Sequence, residues 1–323
     1  MIIRNGATTA LREIPQHVSE CLQLALLLEV SAYPKPGNVH RTADFKSTRY
    51  EHFLASAVAL APHFAYCAAS GVAVHDEKLR LGEIAVGKAI KTAVNDVSKW
   101  QHGGNTILGS IILLMPIAPA AGMTLAEGKF SVKRLRRRLK SVVESTTSDD
   151  AVNLYDAIGT AKPGGLGKAP ELDVTKASSA KEIKKGKVSL LQVFKISAPW
   201  DSISSEWVNN YHITFDIGYP FLVQQLKETD DTNVATVNTF LKILSEVPDT
   251  LIARKAGKLK AKEISLQAKK VLEKGGLSTK EGAESLLSFD KQLRTRRHEL
   301  NPGTTADITS AVLALAILDG YRP

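Results

Sequence analysis

The sequence predicts an all-α protein, and three observations carry that prediction. Alanine and leucine are abundant while aromatic residues make up only 6% of the chain, a mix that suits packed helices better than a β-sandwich. Apolar residues recur at helical spacing, first at Val18, Cys21, Leu22, Ala25, Leu26 and Leu28. No signature of a doubly wound sheet is present. No internal repeat and no compositional shift divides the chain, so residues 1–323 are expected to form a single large multi-helix domain of about a dozen helices.

The first helix is expected over 15–31. The run Tyr33-Pro34-Lys35-Pro36-Gly37-Asn38 stops it, because two prolines and a glycine force an ordered non-helical loop. A second helix over 49–70 places Phe53, Ala57, Leu60 and Phe64 on one face, with Gly71 expected to end it. Residues 79–100 are expected to be helical. Gln101-His102-Gly103-Gly104 follows as a loop, and Asn105 is the expected N-cap of an apolar helix. That apolar run, 107–123, is interrupted by Pro116 and Pro119 and is short for a membrane span, so a buried core helix is expected.

Ser131 is expected to cap a basic helix ending near Glu144. Asp149 or Asp150 caps the next, which carries Val152, Leu154, Tyr155 and Ile158 and ends before Lys162-Pro163-Gly164-Gly165-Leu166-Gly167. The polar, lysine-rich stretch 175–187 reads as a mobile surface loop. Residues 188–198 suit a strand or a helix, and a helix is expected because helices surround them. Asp201 caps the following one, and Pro220 separates it from its successor. A helix over 232–246 comes next, and Pro248-Asp249-Thr250 restarts the chain into Leu251, Ile252 and Arg254. Two more helices cover 261–273 and 280–299. Asn301-Pro302-Gly303-Thr304-Thr305 is a loop before a final apolar helix over 306–319.

A hydrophobic fraction of 44% and a charged fraction of 23% describe an ordinary soluble globular protein. The formal net charge of +9 favours an anionic partner, and nucleic acid and a polyphosphate nucleotide both satisfy it. The run Lys133-Arg134-Leu135-Arg136-Arg137-Arg138-Leu139-Lys140 is read as a solvated helix face, because no aromatic residues interleave it for base stacking. Cys21 and Cys67 lack metal-ligand spacing and point to a reducing compartment, so a cytoplasmic protein is expected. Arg4 and Arg12 are followed by no suitable apolar segment, and no secretory leader is expected.

The chemistry concentrates in loops. Lys35-Pro36-Gly37-Asn38, Gly103-Gly104-Asn105-Thr106, Lys162-Pro163-Gly164-Gly165 and Asn301-Pro302-Gly303-Thr304-Thr305 each set glycine and polar residues just before a helix. Glycine permits close backbone approach, and free amides at helix N-termini favour phosphate oxygens. With Lys35, Arg41, Lys162, Arg254 and Lys255 nearby, the four loops point to a polyphosphate site, held without a Walker A or GxGxxG motif. Asp44, Asp156, Asp173, Asp201, Asp249 and Asp307 form the acidic set. Asp201 and Asp249 divide evenly between helix capping and function, whereas the apolar surroundings of Asp307 favour function, since a buried carboxylate needs a partner. The histidines form no metal pattern. Only His40, in the first loop, stands out, and the others, His298 among them, are expected on the surface or satisfied in the core.

These segments, in order, resemble the triphosphoribosyl-dephospho-CoA synthase family. The likeness runs through Glu29-Val30-Ser31-Ala32-Tyr33-Pro34-Lys35-Pro36-Gly37-Asn38-Val39 with Arg41, then Ser56-Ala57, then Asn105-Thr106 with Gly109. It continues through Asp156, Pro163-Gly164-Gly165, Asp173, Asp201 with Glu206, and Asn301-Pro302-Gly303 with Ala306-Asp307. The resemblance implies an all-α fold and an ATP-using transfer. A ribose hydroxyl of 3′-dephospho-CoA attacks the anomeric carbon of ATP, adenine leaves, and the triphosphate stays on the transferred ribose. It further implies Mg2+ and the following site. Asp156 and Asp307 are catalytic candidates. Lys35, Gly37, Asn38, Arg41, Asn105, Thr106, Gly164, Gly165, Asn301 and Gly303 hold the nucleotide, and Asp44, Asp173 and Asp307 hold the metal. Where many bacterial members carry Asn-Thr-His-Lys-Gly, this chain has Asn105-Thr106-Ile107-Leu108-Gly109. Thr42-Ala43-Asp44-Phe45 replaces the usual Gly-Ala-His element, and Gly303-Thr304-Thr305-Ala306-Asp307 replaces Gly-Gly-Ser-Ala-Asp. The changes leave room for another hydroxyl-bearing acceptor. The competing readings are a related nucleotide-dependent enzyme of coenzyme biosynthesis and a basic helical nucleic-acid-binding protein.

Overall fold

A computed structural model describes residues 7–323 other than 168 and 296, with side chains from residue 13 onward. The expectation of no leader falls largely on residues outside that range. Among the described residues there are fifteen α-helices and no β-strand. They are α1 (Ala7–Ser31), α2 (Tyr50–His75), α3 (Val86–Trp100), α4 (Leu108–Ala126), α5 (Val132–Glu144), α6 (Ser148–Ala161), α7 (Ala177–Gly186) and α8 (Leu190–Ser197). After these come α9 (Ser202–Val208), α10 (Tyr219–Thr229), α11 (Thr232–Glu246), α12 (Thr250–Ala256), α13 (Lys258–Glu273), α14 (Lys280–Leu293) and α15 (Gly303–Leu318).

The two helices that are apolar on every face are the innermost. In α4, 16 of 19 residues are buried, and in α15, 14 of 16 are, as expected for helices without a polar stripe. By length and composition α2 and α4 each suffice to cross a membrane, but α4 is enclosed by other helices of the protein. A second apolar cluster joins α11, α13 and α14 through Phe240, Leu244, Ile264, Ala268, Leu286 and Phe289.

The apolar run forms the expected buried core helix, and Pro116 and Pro119 lie within α4 without breaking it. Proline at 116 deprives the carbonyl of Ile112 of its helical donor, and the buried indole Nε1 of Trp207 donates to that oxygen at 3.2 Å. Gly71 does not end α2 either. It lies inside the helix, where a Cβ would overlap the carbonyl of Pro119, and Gly122 faces Ala68 in the same way. The two glycines let the backbones of α2 and α4 touch. Gly122→Leu is therefore expected to lower stability by at least the ~1–3 kcal/mol typical of overpacking, read as a fall in the thermal midpoint.

Other local expectations change for identifiable reasons. The cap of α6 is Thr147, whose hydroxyl accepts from Asp150 N while the Asp150 carboxylate accepts from Thr147 N. Residues 177–186 form α7, not a loop, anchored by the buried Ile183. Residues 79–100 divide into a short turn, Leu81–Glu83, and α3. The last long polar helix stops at Leu293. Pro220 lies in the first turn of α10, after a π-helical segment Ile213–Gly218 whose start is held by Glu206, which accepts from Ile213 N at 2.7 Å and Thr214 N at 2.8 Å. The basic helix α5 keeps Lys133, Arg137 and Lys140 exposed, and two of its arginines form ion pairs within the chain. Arg136 grips Asp216 with both terminal nitrogens, at 2.6 and 2.7 Å, and Arg138 pairs with Glu127.

Candidate active site

The site is built where the N-terminal ends of α4 and α15 meet. Asp307, early in α15, accepts hydrogen bonds from Ser110 N at 2.8 Å and Ser110 Oγ at 2.6 Å through Oδ1. A helix N-terminus favours a negative group, yet burial dominates. It pushes the Asp307 carboxyl up to about 7, against the Ser110 hydrogen bonds and with help from the nearby Glu29. Gly109 lies against Oδ2, where a Cβ would overlap the carboxylate. Glycine at 109 is thus a condition for Asp307 to sit here.

Glu29, near the end of α1, faces the same space. Its Oε1 is paired with the ammonium of Lys35, which also donates to the Glu29 backbone oxygen at 2.9 Å. Lys35 is fully buried. Burial pushes Glu29 up and Lys35 down, and their mutual attraction opposes both.

Above these groups opens a cavity of about 800 Å³, a size that suits a substrate larger than a simple metabolite. The four glycine loops of the sequence converge on it, through Asn38, through Gly103, Asn105 and Thr106, through Lys162, Pro163 and Gly164, and through Asn301, Gly303 and Thr304. Lys162, Arg254, Lys255 and Arg297 bring cations to its wall. Burial, then the neighbouring Arg254, lowers the Lys255 ammonium. Arg254 is oriented by Asp201, whose Oδ1 accepts at 2.6 Å while Oδ2 caps α9. Much of the remaining wall is apolar, with Leu154, Ile158, Val193, Phe194 and Trp200. Buried polar atoms are normally paired. Of the five described here that are not, three belong to cavity residues: Arg254 Nε, His298 Nδ1 and Asn301 Oδ1.

Of the residues expected from sequence, Asn38, Asn105, Thr106, Gly164, Asn301, Gly303, Asp173 and Asp307 line the cavity. Six others do not. Lys35 lies beneath the wall, spent on Glu29. Gly37 donates its N–H to Asp290 at 2.8 Å, and Gly165 packs against Arg254. Arg41 lies over the Tyr33 ring, 4.2 Å from its centre. Asp44 is exposed and accepts from Tyr50 N at 2.8 Å. Asp156, half-exposed, pairs with Lys91 at 2.7 Å. Asp156→Asn is accordingly expected to leave turnover unchanged in a steady-state assay.

Asp173 reaches the cavity with its carboxylate already occupied by Thr175 N, Thr175 Oγ1 and Ala169 N. Asp249 is a cap. It holds the start of α12 with Oδ1 and Thr305 with Oδ2. His40 is fixed by Arg294 and Thr42, and burial lowers it to about 4. No group of three or more His, Cys, Asp or Glu among the described residues is placed to hold a metal ion. His298, expected on the surface or in the core, instead borders the cavity and stacks on Phe45, with ring centres 3.9 Å apart. Its place in the Arg297-His298 pair just before the Asn301 loop is the signal that could have marked it. Ser110 and Trp200 carry no comparable signal.

Residues 15–323 match the family described as ATP:dephospho-CoA triphosphoribosyl transferase. A relative from Klebsiella pneumoniae, 2-(5′′-triphosphoribosyl)-3′-dephosphocoenzyme-A synthase, is 24% identical over 311 residues, covering 93% of this chain and 90% of its own. A Salmonella typhimurium protein provisionally given that name is 24% identical over 302 residues, covering 90% of this chain and 87% of its own. A crystal structure from Archaeoglobus fulgidus, provisionally named triphosphoribosyl-dephospho-CoA synthase, shares the fold with a TM-score of 0.61. It is 22% identical and covers 83% of this chain and 100% of that one.

Proposed function

The chain belongs to the ATP:dephospho-CoA triphosphoribosyl transferase family, and from that premise we propose how its cavity carries out the transfer and with which residues. The activity moves the triphosphoribosyl group of ATP to a hydroxyl of 3′-dephospho-CoA. The observation that carries the reading is the Asp307 carboxyl, lodged in the cavity floor with one oxygen held by Ser110 and a carboxyl pushed up to about 7. A base works best when its pKa lies near the operating pH.

Asp307 takes the proton of the acceptor hydroxyl through Oδ2. The acceptor oxygen bonds to C1′ of the ATP ribose, the C1′–N9 bond breaks, and its electron pair leaves with adenine, which takes up one proton. Lys162, Arg254 and Lys255 hold the triphosphate, as cations with several donors do, and Asn105 and Asn301 orient the sugar. The apolar wall of Val193, Phe194 and Trp200 excludes water, which would otherwise compete with the acceptor.

Magnesium belongs to this proposal. It binds oxygen and keeps much of its water beside substrate phosphates. No group of three or more carboxylates, histidines or cysteines among the described residues could cage the ion, so it would rest on the triphosphate and water and would neutralise phosphate charge. Cys21 and Cys67 are buried free thiols, which supports action in a reducing cytoplasm. The run 133–140 carries no interleaved aromatic residues for base stacking, which supports a nucleotide over a nucleic acid as the anionic partner. The test is chromatography of the protein with ATP, Mg2+ and 3′-dephospho-CoA. Free adenine equal in amount to a triphosphoribosylated product supports the proposal, and ADP or phosphate as the sole product from ATP overturns it.

A further inference from the structure

We propose that Glu29 is a second catalytic carboxylate of this cavity, the one that stabilises positive charge on the ribose as adenine departs. This rests on the transfer reading above and adds to it a group that reading leaves idle.

Glu29 stands close to the C-terminal end of α1, and the chain then turns through Pro34, Lys35 and Pro36 so that the Lys35 side chain folds back beneath the helix. There the ammonium meets both the backbone oxygen of Glu29, at 2.9 Å, and carboxylate Oε1. A cation at a helix C-terminus is favourable, but complete burial of a lysine is costly and persists only when its charge is answered. The bond to Lys35 fixes the rotamer of Glu29. It leaves Oε2 with no hydrogen bond from the described residues and the side chain on the cavity wall that also holds Asp307. The result is two carboxyls at one substrate site in unlike surroundings. Asp307 is held by neutral donors from Ser110, and Glu29 by a buried cation. Unlike surroundings divide labour between paired carboxyls. Asp307 exchanges the proton, while the Lys35 ammonium in contact with Glu29 opposes the effect of burial and favours its charged form. Displacement at an anomeric carbon passes through an oxocarbenium-like state, and a fixed negative charge beside it lowers the barrier without moving. Lys35 touches no substrate in this scheme and is a positioning residue.

Glu29→Gln alone leaves Lys35 unanswered, so the decisive variant is Glu29→Gln with Lys35→Met, which removes both charges together. If Glu29 serves only to neutralise Lys35, the double variant regains activity. If its charge acts on the ribose, kcat stays down by about 10²–10³-fold, the range for losing one preorganised electrostatic group, with KM for ATP little changed. A kcat within a few-fold of wild type overturns the proposal. Should the double variant not fold, Glu29→Asp keeps the charge and withdraws it by one methylene. A loss of kcat at constant KM supports the role, and an unchanged kcat overturns it. Wild-type protein run alongside separates the two readings. Adenine release by wild type keeps the transfer reading whatever the variants do, and its absence removes the basis for both.

Discussion

Asp307→Asn is expected to lower kcat/KM by about 10²–10⁴-fold, the span associated with losing a positioned base, without loss of stability at neutral or alkaline pH. The amide oxygen can still accept from Ser110 N and Ser110 Oγ, the two donors that hold Oδ1, so the local geometry has a reason to persist. The pH dependence follows from the raised carboxyl. Asp307 accepts a proton only when ionised, and it titrates near pH 7. Wild-type kcat/KM therefore falls as pH drops below about 7 and levels off above it. Stability runs the other way. A carboxyl whose folded pKa exceeds its ordinary 3.8 contributes stability below that value and loses it as pH rises to about 7. The asparagine variant has no such loss, so above pH 7 its thermal midpoint should equal or exceed that of wild type. Activity and stability thus move in opposite directions at one side chain, as expected where a strained group is kept for function. A variant that unfolds more readily at pH 8 would make Asp307 a structural residue.

Gly109→Ala is the second large effect, and it touches no titratable group. In an ordinary helix, alanine gains roughly 0.5–1 kcal/mol over glycine. Here its methyl would overlap Asp307 Oδ2, and both partners are set near the starts of buried helices. The carboxylate is the easier part to move. It must leave the space above Gly109, and kcat is expected to fall towards that of Asp307→Asn. With Asp307→Ala already present, the same substitution should cost little more, since nothing remains to displace. The four rates form a cycle in which strong non-additivity identifies the contact, and thermal midpoints of the four proteins check that the fold is intact. Additive losses would mean that Gly109 acts by some other route.

Much of this was legible because helices announce themselves locally. Ser131, Asp201 and Asp249 are caps whose oxygens meet the backbone donors that their positions imply. The convergence of the four glycine loops and the need of Asp307 for a partner were also readable, since a carboxylate among apolar residues must be answered by something. What answers it was not. Ser110 lies 197 positions away in the chain, and only packing brings it there. Asp156 and Glu29 are both carboxylates on helices, and only Asp156 was expected to be catalytic. In the structure one reaches Lys91 at the surface and the other Lys35 in the interior. Lys35 and Arg41 looked like phosphate ligands because cations beside a glycine loop usually are, whereas burial and the Tyr33 ring take them elsewhere. Gly71 looked like a stop because its use depends on Pro119, a neighbour in space alone. The segment 175–187 looked mobile because a single buried isoleucine, Ile183, anchors a helix otherwise covered in lysine.

The central claim is that one cavity brings the anomeric carbon of ATP to Asp307 and its triphosphate to Lys162, Arg254 and Lys255. A crystal structure of the Asp307→Asn variant with ATP and Mg2+ is the test, because slow turnover is expected to leave the bound ATP intact. The triphosphate is expected against those three cations and the ribose above Ser110, with C1′ facing residue 307. ATP bound elsewhere, or bound in the cavity with its ribose turned away from residue 307, would contradict it.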